Sequence, residues 1–260
     1  MMKLPLPNAL DELVYTLYRK VLWTSPQRYR LFAPFSGGGV GRFDAPCDLV
    51  VDGFARSGNT FVADMLRATQ PAGFRLESHR HIPPFVMTAC DRGTPTVLLV
   101  RRPVDSVISL SLHSQWSLRK SLDHYIAYHN ALRSYRSRVL IARFADFTRD
   151  FRQFVLDVNC RFGLSLSAEF DHAPLASRTL AAMEGRLTRD GKRVTAMQIH
   201  RPTRERHQLK GLLLEEIHAP PLRPRLLAAE GLYEEFAEAA SPSLVDAPLF
   251  HPELGIGSIA

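Results

Sequence analysis

Apolar residues recur along this chain with two different periods, and the change from one to the other outlines a fold. Leu10, Leu13, Val14, Leu17, Tyr18, Val21 and Leu22 fall at helical spacing. They predict an amphipathic helix over residues 10–23. Its apolar face suits packing on a core or contact with a membrane surface. Residues 24–46 are rich in Gly, Pro and Arg and read as an irregular lead-in. Short continuous apolar runs follow, as buried parallel strands have. Asp48–Gly53, Thr96–Val100 and Val139–Ala142 are such runs, and Phe74–Leu76 is a further short candidate. Between them lie helical patterns. One begins at Phe61–Leu66, one spans Ser106–Leu112 and one Leu118–Tyr135. Thr148 is placed to cap another, ending at Phe162 before the stop residue Gly163. The stretch Ala173–Pro202 has weak periodicity. Thr203 is placed to cap a helix through His218, and Leu226–Ala239 gives a last one before a Pro-rich tail.

Strands alternating with helices predict an α/β fold of three layers, with a central parallel β-sheet flanked by helices. No repeat or linker divides the pattern. The expected organisation is a helix and lead-in over residues 1–46, an α/β domain over 47–240 and a tail over 241–260.

Composition narrows the class of protein. At 45% hydrophobic and 23% charged residues, the 260-residue chain is globular rather than disordered or collagenous. Its formal charge of +7 favours anionic partners without choosing among them. Lysine occurs at Lys3, Lys20, Lys120, Lys192 and Lys210, so most of the positive charge is arginine. Cys47, Cys90 and Cys160 are scattered, which is neither a disulfide framework nor a zinc pattern. No apolar run reaches the ~18–20 residues of a membrane span. Residues 1–8 do not look like a signal peptide, and the expected location is the cytoplasm.

The most informative segment is Gly53-Phe54-Ala55-Arg56-Ser57-Gly58-Asn59-Thr60, between a strand and a helix. A glycine at each end of four residues is the spacing of a phosphate-cradling loop. Successive N–H groups there turn into one concavity, and the helix N-terminus adds partial positive charge. A nucleoside-triphosphate loop carries Lys after the second glycine. Here Asn59 stands in that place, and the cation is Arg56, inside the loop. An acid ending a neighbouring strand to hold magnesium is missing, because Thr96–Val100 runs into Arg101-Arg102. The pattern suits an anion bound without metal.

Phe54-Ala55-Arg56-Ser57-Gly58-Asn59-Thr60-Phe61 resembles the first signature of the sulfotransferases that use 3′-phosphoadenosine 5′-phosphosulfate (PAPS). Bacterial members often read Pro-Arg-Ser-Gly-Asn-Thr there; Ala55 replaces the proline. The resemblance implies that Arg56, Ser57, Gly58, Asn59 and Thr60 hold the phosphosulfate. Phe61 takes the place of a tryptophan near the adenine. Arg101-Arg102-Pro103-Val104-Asp105-Ser106-Val107-Ile108-Ser109 resembles the second signature, and it implies that Arg101 and Ser109 bind the 3′-phosphate. From the residues alone, Arg101 ends a parallel strand, where α/β sheets bind ligands. A guanidinium fork with a hydroxyl suits a dianionic phosphate. A weaker match places Phe144, after the strand Val139–Ala142, near the adenine; a core aromatic explains it equally well.

Transfer of a sulfuryl group to an alcohol needs a base. Histidine has the appropriate intrinsic pKa, about 6.5. Glu77-Ser78-His79-Arg80-His81-Ile82-Pro83-Pro84 resembles the family's Lys-Thr-His-Leu-Pro and implies that His81 is the base, with His79 and Glu77 as alternatives. No metal is expected. Arg56 would offset charge on the departing phosphate. The family's C-terminal basic motif is absent; Arg201 and Arg204 are the nearest candidates to close over the nucleotide. The resemblance is strong over residues 48–165. It implies a PAPS-dependent sulfotransferase acting on a hydroxyl or amine of a glycan, lipid-linked sugar or small alcohol. Nucleic acid is not an expected partner. The rival readings are an ATP-dependent kinase with a degenerate loop and a non-enzymatic basic anion-binding module.

Overall fold

The computed structural model describes residues 21–32, 46–189 and 204–240. Residues 10–20 of the helix expected over 10–23, the Arg201 candidate and the tail lie outside them. In chain order the described elements are α1 (Pro26–Phe32), β1 (Leu49–Gly53), α2 (Asn59–Thr69), β2 (Leu76–Ser78), α3 (Pro83–Asp91), β3 (Thr96–Val100), α4 (Pro103–Ser114) and α5 (Leu118–Leu132). A 3₁₀ turn (Arg133–Arg138) follows, then β4 (Leu140–Arg143), α6 (Phe144–Arg149), α7 (Phe151–Phe162), α8 (His172–Arg189), α9 (Arg204–His218) and α10 (Arg223–Glu238).

The strands form one parallel sheet in the order β2-β1-β3-β4. Their side chains alternate between two cores, as strand geometry requires. Leu49 and Val51 of β1, Val97 and Leu99 of β3 and Leu140 of β4 pack with α2, α7 and α8. Leu98, Val100 and Ile141 face the opposite way and pack with α3, α4, α5 and α10. The protein is therefore an α/β fold with helices on both faces of a parallel sheet. Each fully buried Val, Leu or Phe contributes about 1.5–3 kcal/mol of transfer free energy. β1 and β3 approach so closely that a Cβ on Gly53 would lie 2.4 Å from the Leu99 carbonyl oxygen.

Several boundaries differ from expectation. β2 starts at Leu76, not Phe74. The Asp48 carboxylate accepts from the Arg75 main-chain N–H at 2.8 Å and from its guanidinium at 2.9 Å, and the Phe74 N–H turns back to Pro71. Thr148 does not cap the helix ending at Phe162. It lies within α6 and its hydroxyl donates to the Phe144 carbonyl at 2.6 Å, while Asp150 caps α7 by accepting from the Gln153 N–H at 2.9 Å. Gly163 ends α7 in the left-handed conformation, as expected. α5 stops at Leu132, before Tyr135.

Four helices lie where none was expected, and α6 is the shortest of them. α1 falls in the lead-in, and its Tyr29 is buried. α8 occupies much of the weakly periodic stretch, with Leu175 and Met183 in the core. α3 begins on Pro83-Pro84, which suit a first turn because their missing N–H groups would be unpaired there. Every residue from Pro83 to Cys90 is buried, so α3 has no polar stripe to reveal it. Among the described residues, no helix is long and apolar enough to cross a membrane.

Candidate functional site

Most of the described site candidates follow the carboxyl ends of β1, β2, β3 and β4. After β1 the chain turns sharply: the Ser57 N–H donates to the Phe54 carbonyl at 3.1 Å. Arg56 (φ 72°) and Gly58 (φ 94°) both occupy the left-handed region. Gly58 is the N-cap of α2, and its carbonyl accepts the Val62 N–H at 3.0 Å. This bond is why the helix starts at Asn59, ahead of the expected Phe61. A Cβ at Gly58 would lie 2.8 Å from Phe147 Cζ and 3.1 Å from Phe144. Asn59, in the place of a triphosphate-loop lysine, turns its amide back to donate to the Phe54 carbonyl at 3.2 Å. Ser57 Oγ and Asn59 Oδ1 are buried without a hydrogen-bond partner. Such atoms normally have one, so a polar ligand at the loop would satisfy a real demand.

The second segment folds onto the first. The Arg101 guanidinium donates to the Arg56 carbonyl at 3.0 Å across 45 residues of sequence. Arg56 Nε donates to Ser109 Oγ at 3.0 Å across 53. The Arg101 guanidinium also lies over the Phe144 ring, 4.1 Å from its centroid. Behind it, the Tyr125 hydroxyl donates to the Arg101 carbonyl at 3.0 Å. Arg56, Arg101, Ser109 and Phe144 thus form one cluster beside the loop. Phe61 is not at its surface; 8% exposed, it packs in the core with Phe147 and Phe151.

The turn after β2 carries the histidines. His79 (φ 67°) and His81 (φ 55°) are both left-handed, and their rings are 6.0 Å apart. Both ring nitrogens of His79 are engaged: Nδ1 with Ser78 Oγ at 2.8 Å and Nε2 with Thr60 Oγ1 at 3.0 Å. Burial, followed by His81, depresses its pKa to about 4, so the ring is neutral. Glu77 pairs with Arg80 at 3.2 Å. His81 Nδ1 lies 2.9 Å from the Gly53 carbonyl. A carbonyl only accepts, so Nδ1 carries a proton, and in the neutral ring Nε2 is the nitrogen left to accept one.

One contributor was not anticipated. Asp52 is fully buried at the end of β1. Its carboxylate accepts the His81 main-chain N–H at 3.0 and 3.2 Å and the Gly53 N–H at 2.9 Å. It lies 3.6 Å from His81 Nδ1. Burial raises its pKa to about 6, against the opposing pull of His81. The signal in the sequence was an acid within the otherwise apolar run Leu49-Val50-Val51-Asp52, directly before the loop.

Arg204 begins α9, while α9 reaches the second segment through Lys210, whose ammonium lies 3.3 Å from Asp105. No group of His, Cys, Asp and Glu suited to a metal occurs among the described residues.

No family model and no curated protein matches the chain. Among solved structures it is similar to mouse sulfotransferase SULT7A1 complexed with PAP, at 15% sequence identity. The match covers 78% of this chain and 93% of that one, with a TM-score of 0.43.

Proposed function

We propose that this protein transfers a sulfuryl group from PAPS to an acceptor hydroxyl. One observation carries the reading. The two segments that resemble the donor-binding signatures meet, with Arg56 bonded to Ser109 and Arg101 bonded to the Arg56 carbonyl. Two anion grips in contact suit a nucleotide bearing two phosphate groups. The orphaned Ser57 hydroxyl supports a ligand at the loop.

Arg56, Ser57, Gly58, Asn59 and Thr60 would hold the phosphosulfate, and Arg101 and Ser109 the 3′-phosphate. Phe144, already stacked on Arg101, offers a ring face for the adenine. His81 serves as the base through Nε2. Its rivals are engaged elsewhere: His79 by two hydroxyls and Glu77 by Arg80. The acceptor O–H bond breaks and its proton passes to His81 Nε2. The acceptor oxygen bonds to sulfur while the bond from sulfur to the bridging phosphate oxygen breaks. That oxygen keeps the electron pair, and Arg56 offsets its charge. Positioning and electrostatics supply the catalysis, as in phosphoryl transfer.

Calorimetric titration with adenosine 3′,5′-bisphosphate tests the donor site. Micromolar or tighter binding without magnesium is expected. Arg101→Ala should weaken it by on the order of 10²-fold, the scale of losing one partner of a buried, charge-assisted contact. Equal affinity for both proteins, or binding that requires magnesium, contradicts the reading.

A further inference from the structure

Asp52 is a carboxylate in an apolar strand, fully buried, and it directly precedes the loop that starts at Gly53. A buried acid is costly unless it is bonded. Its bonds here converge on one residue. Both oxygens accept the His81 N–H, and one lies 3.6 Å from His81 Nδ1. The same oxygen accepts the Gly53 N–H, and the Gly53 carbonyl receives the His81 ring. His81 is a non-glycine residue at φ 55°, a conformation that persists only where surrounding bonds hold it.

We propose that Asp52 is the positioning residue of the His81 base. It anchors the strained main chain, and with the Gly53 carbonyl it keeps the ring proton on Nδ1. Its negative charge then offsets the imidazolium formed when Nε2 takes the acceptor proton. This inference rests on the transferase reading for what the base does. The pairing itself can be tested without a donor or an acceptor.

The groups that act on Asp52 are His81 and Arg80 on the neighbouring turn, and it in turn acts on the Tyr128 hydroxyl of α5. Isotope-labelled full-length protein would be followed by NMR from about pH 4.5 to about pH 8, a range spanning carboxyl and imidazole titrations. In the wild type the ¹⁵N shifts of His81 should show Nδ1 protonated in the neutral ring. They should also respond to a second group titrating near pH 6, where Asp52 changes charge. In Asp52→Asn that second response should vanish. Superimposable His81 profiles, or Nε2 as the protonated nitrogen of the wild type, would overturn the proposal. Should Asp52→Asn fail to fold, the Asp52 carboxyl ¹³C titration decides in His81→Gln. Its midpoint should rise, because His81 favours the charged carboxylate; an unmoved midpoint overturns the pairing. Calorimetry with adenosine 3′,5′-bisphosphate on the same samples separates the premises. Failure to bind removes the donor reading, while the NMR result still judges the pair.

Discussion

The turn after β1 and the turn after β2 lie beside each other at one edge of the sheet, and both force residues into the left-handed region. They are held there in different ways. The first turn relies on Gly58, which has no Cβ to strain and no room for one. Its Arg56 is fixed through its carbonyl by Arg101 and through its side chain by Ser109. The second turn has no glycine. His79 and His81 each accept a strain of about 1–3 kcal/mol, and bonds to Thr60, Gly53 and Asp52 hold them. A glycine suits a loop whose main chain must approach a ligand. Where the side chain itself is needed, as for a base, the strain has to be offset by neighbours.

The largest effect should come from forcing a side chain on the first turn. Gly58→Ala places a methyl against the packed Phe147 ring at φ 94°. It should destabilise the protein by roughly 2–4 kcal/mol, combining overpacking with backbone strain. Urea denaturation measures this; a change below about 0.5 kcal/mol would mean that the turn tolerates side chains as the second turn does.

Thr60→Val cuts the bond between the two turns and strands His79 Nε2. A loss of about 1–2 kcal/mol is expected, together with faster amide exchange over residues 78–82. Exchange unchanged there would show that Asp52 and Gly53 hold the second turn unaided. Ser109→Ala leaves the main chain of the first turn in place. It should lower affinity for adenosine 3′,5′-bisphosphate only about 5-fold, the scale of one net hydrogen bond near 1 kcal/mol.

A last effect concerns pH, where His79 in the second turn and Asp52 in β1 act in opposition. His79 has a folded pKa of about 4, below the unfolded value near 6.5. The unfolded chain therefore binds more protons, and stability present above about pH 6.5 is lost as pH falls toward 4. Buried His129, also depressed to about 4, acts in the same direction. Asp52 has a folded pKa of about 6, above its unfolded value near 3.9. The folded chain binds more protons there, so Asp52 favours folding as pH drops below 6. Asp52→Asn removes this compensation and should lose stability more steeply between pH 6 and 4 than the wild type. Parallel curves from urea midpoints would contradict the assignment.

Much of the central fold was legible because it is local. β3 is a continuous apolar run, β1 is apolar up to Asp52 and β4 up to Arg143, and Gly163 is a helix stop that needs no partner. α3 was hidden because it is buried all round and begins with two prolines, which read as a turn. Thr148 looks like a cap in the sequence, but it lies inside α6, and Asp150 caps α7 instead. Among the site candidates, the loop Arg56–Thr60 was legible as a tight turn from strand to helix, because consecutive residues build it.

The order of residues by itself determined where β1 and β3 end, where the chain must turn, and which turns carry cations, hydroxyls or imidazoles. Only the tertiary structure decided which of these meet. Arg56 reaches Ser109, and Asp52 reaches His81, because parallel strands bring their carboxyl ends to one edge whatever the length of chain between them. It also decided that Phe61 serves the core, since a ring one turn into α2 faces the sheet it packs on. Periodicity reports which face of an element is apolar. It carries no record of the neighbour that face will find.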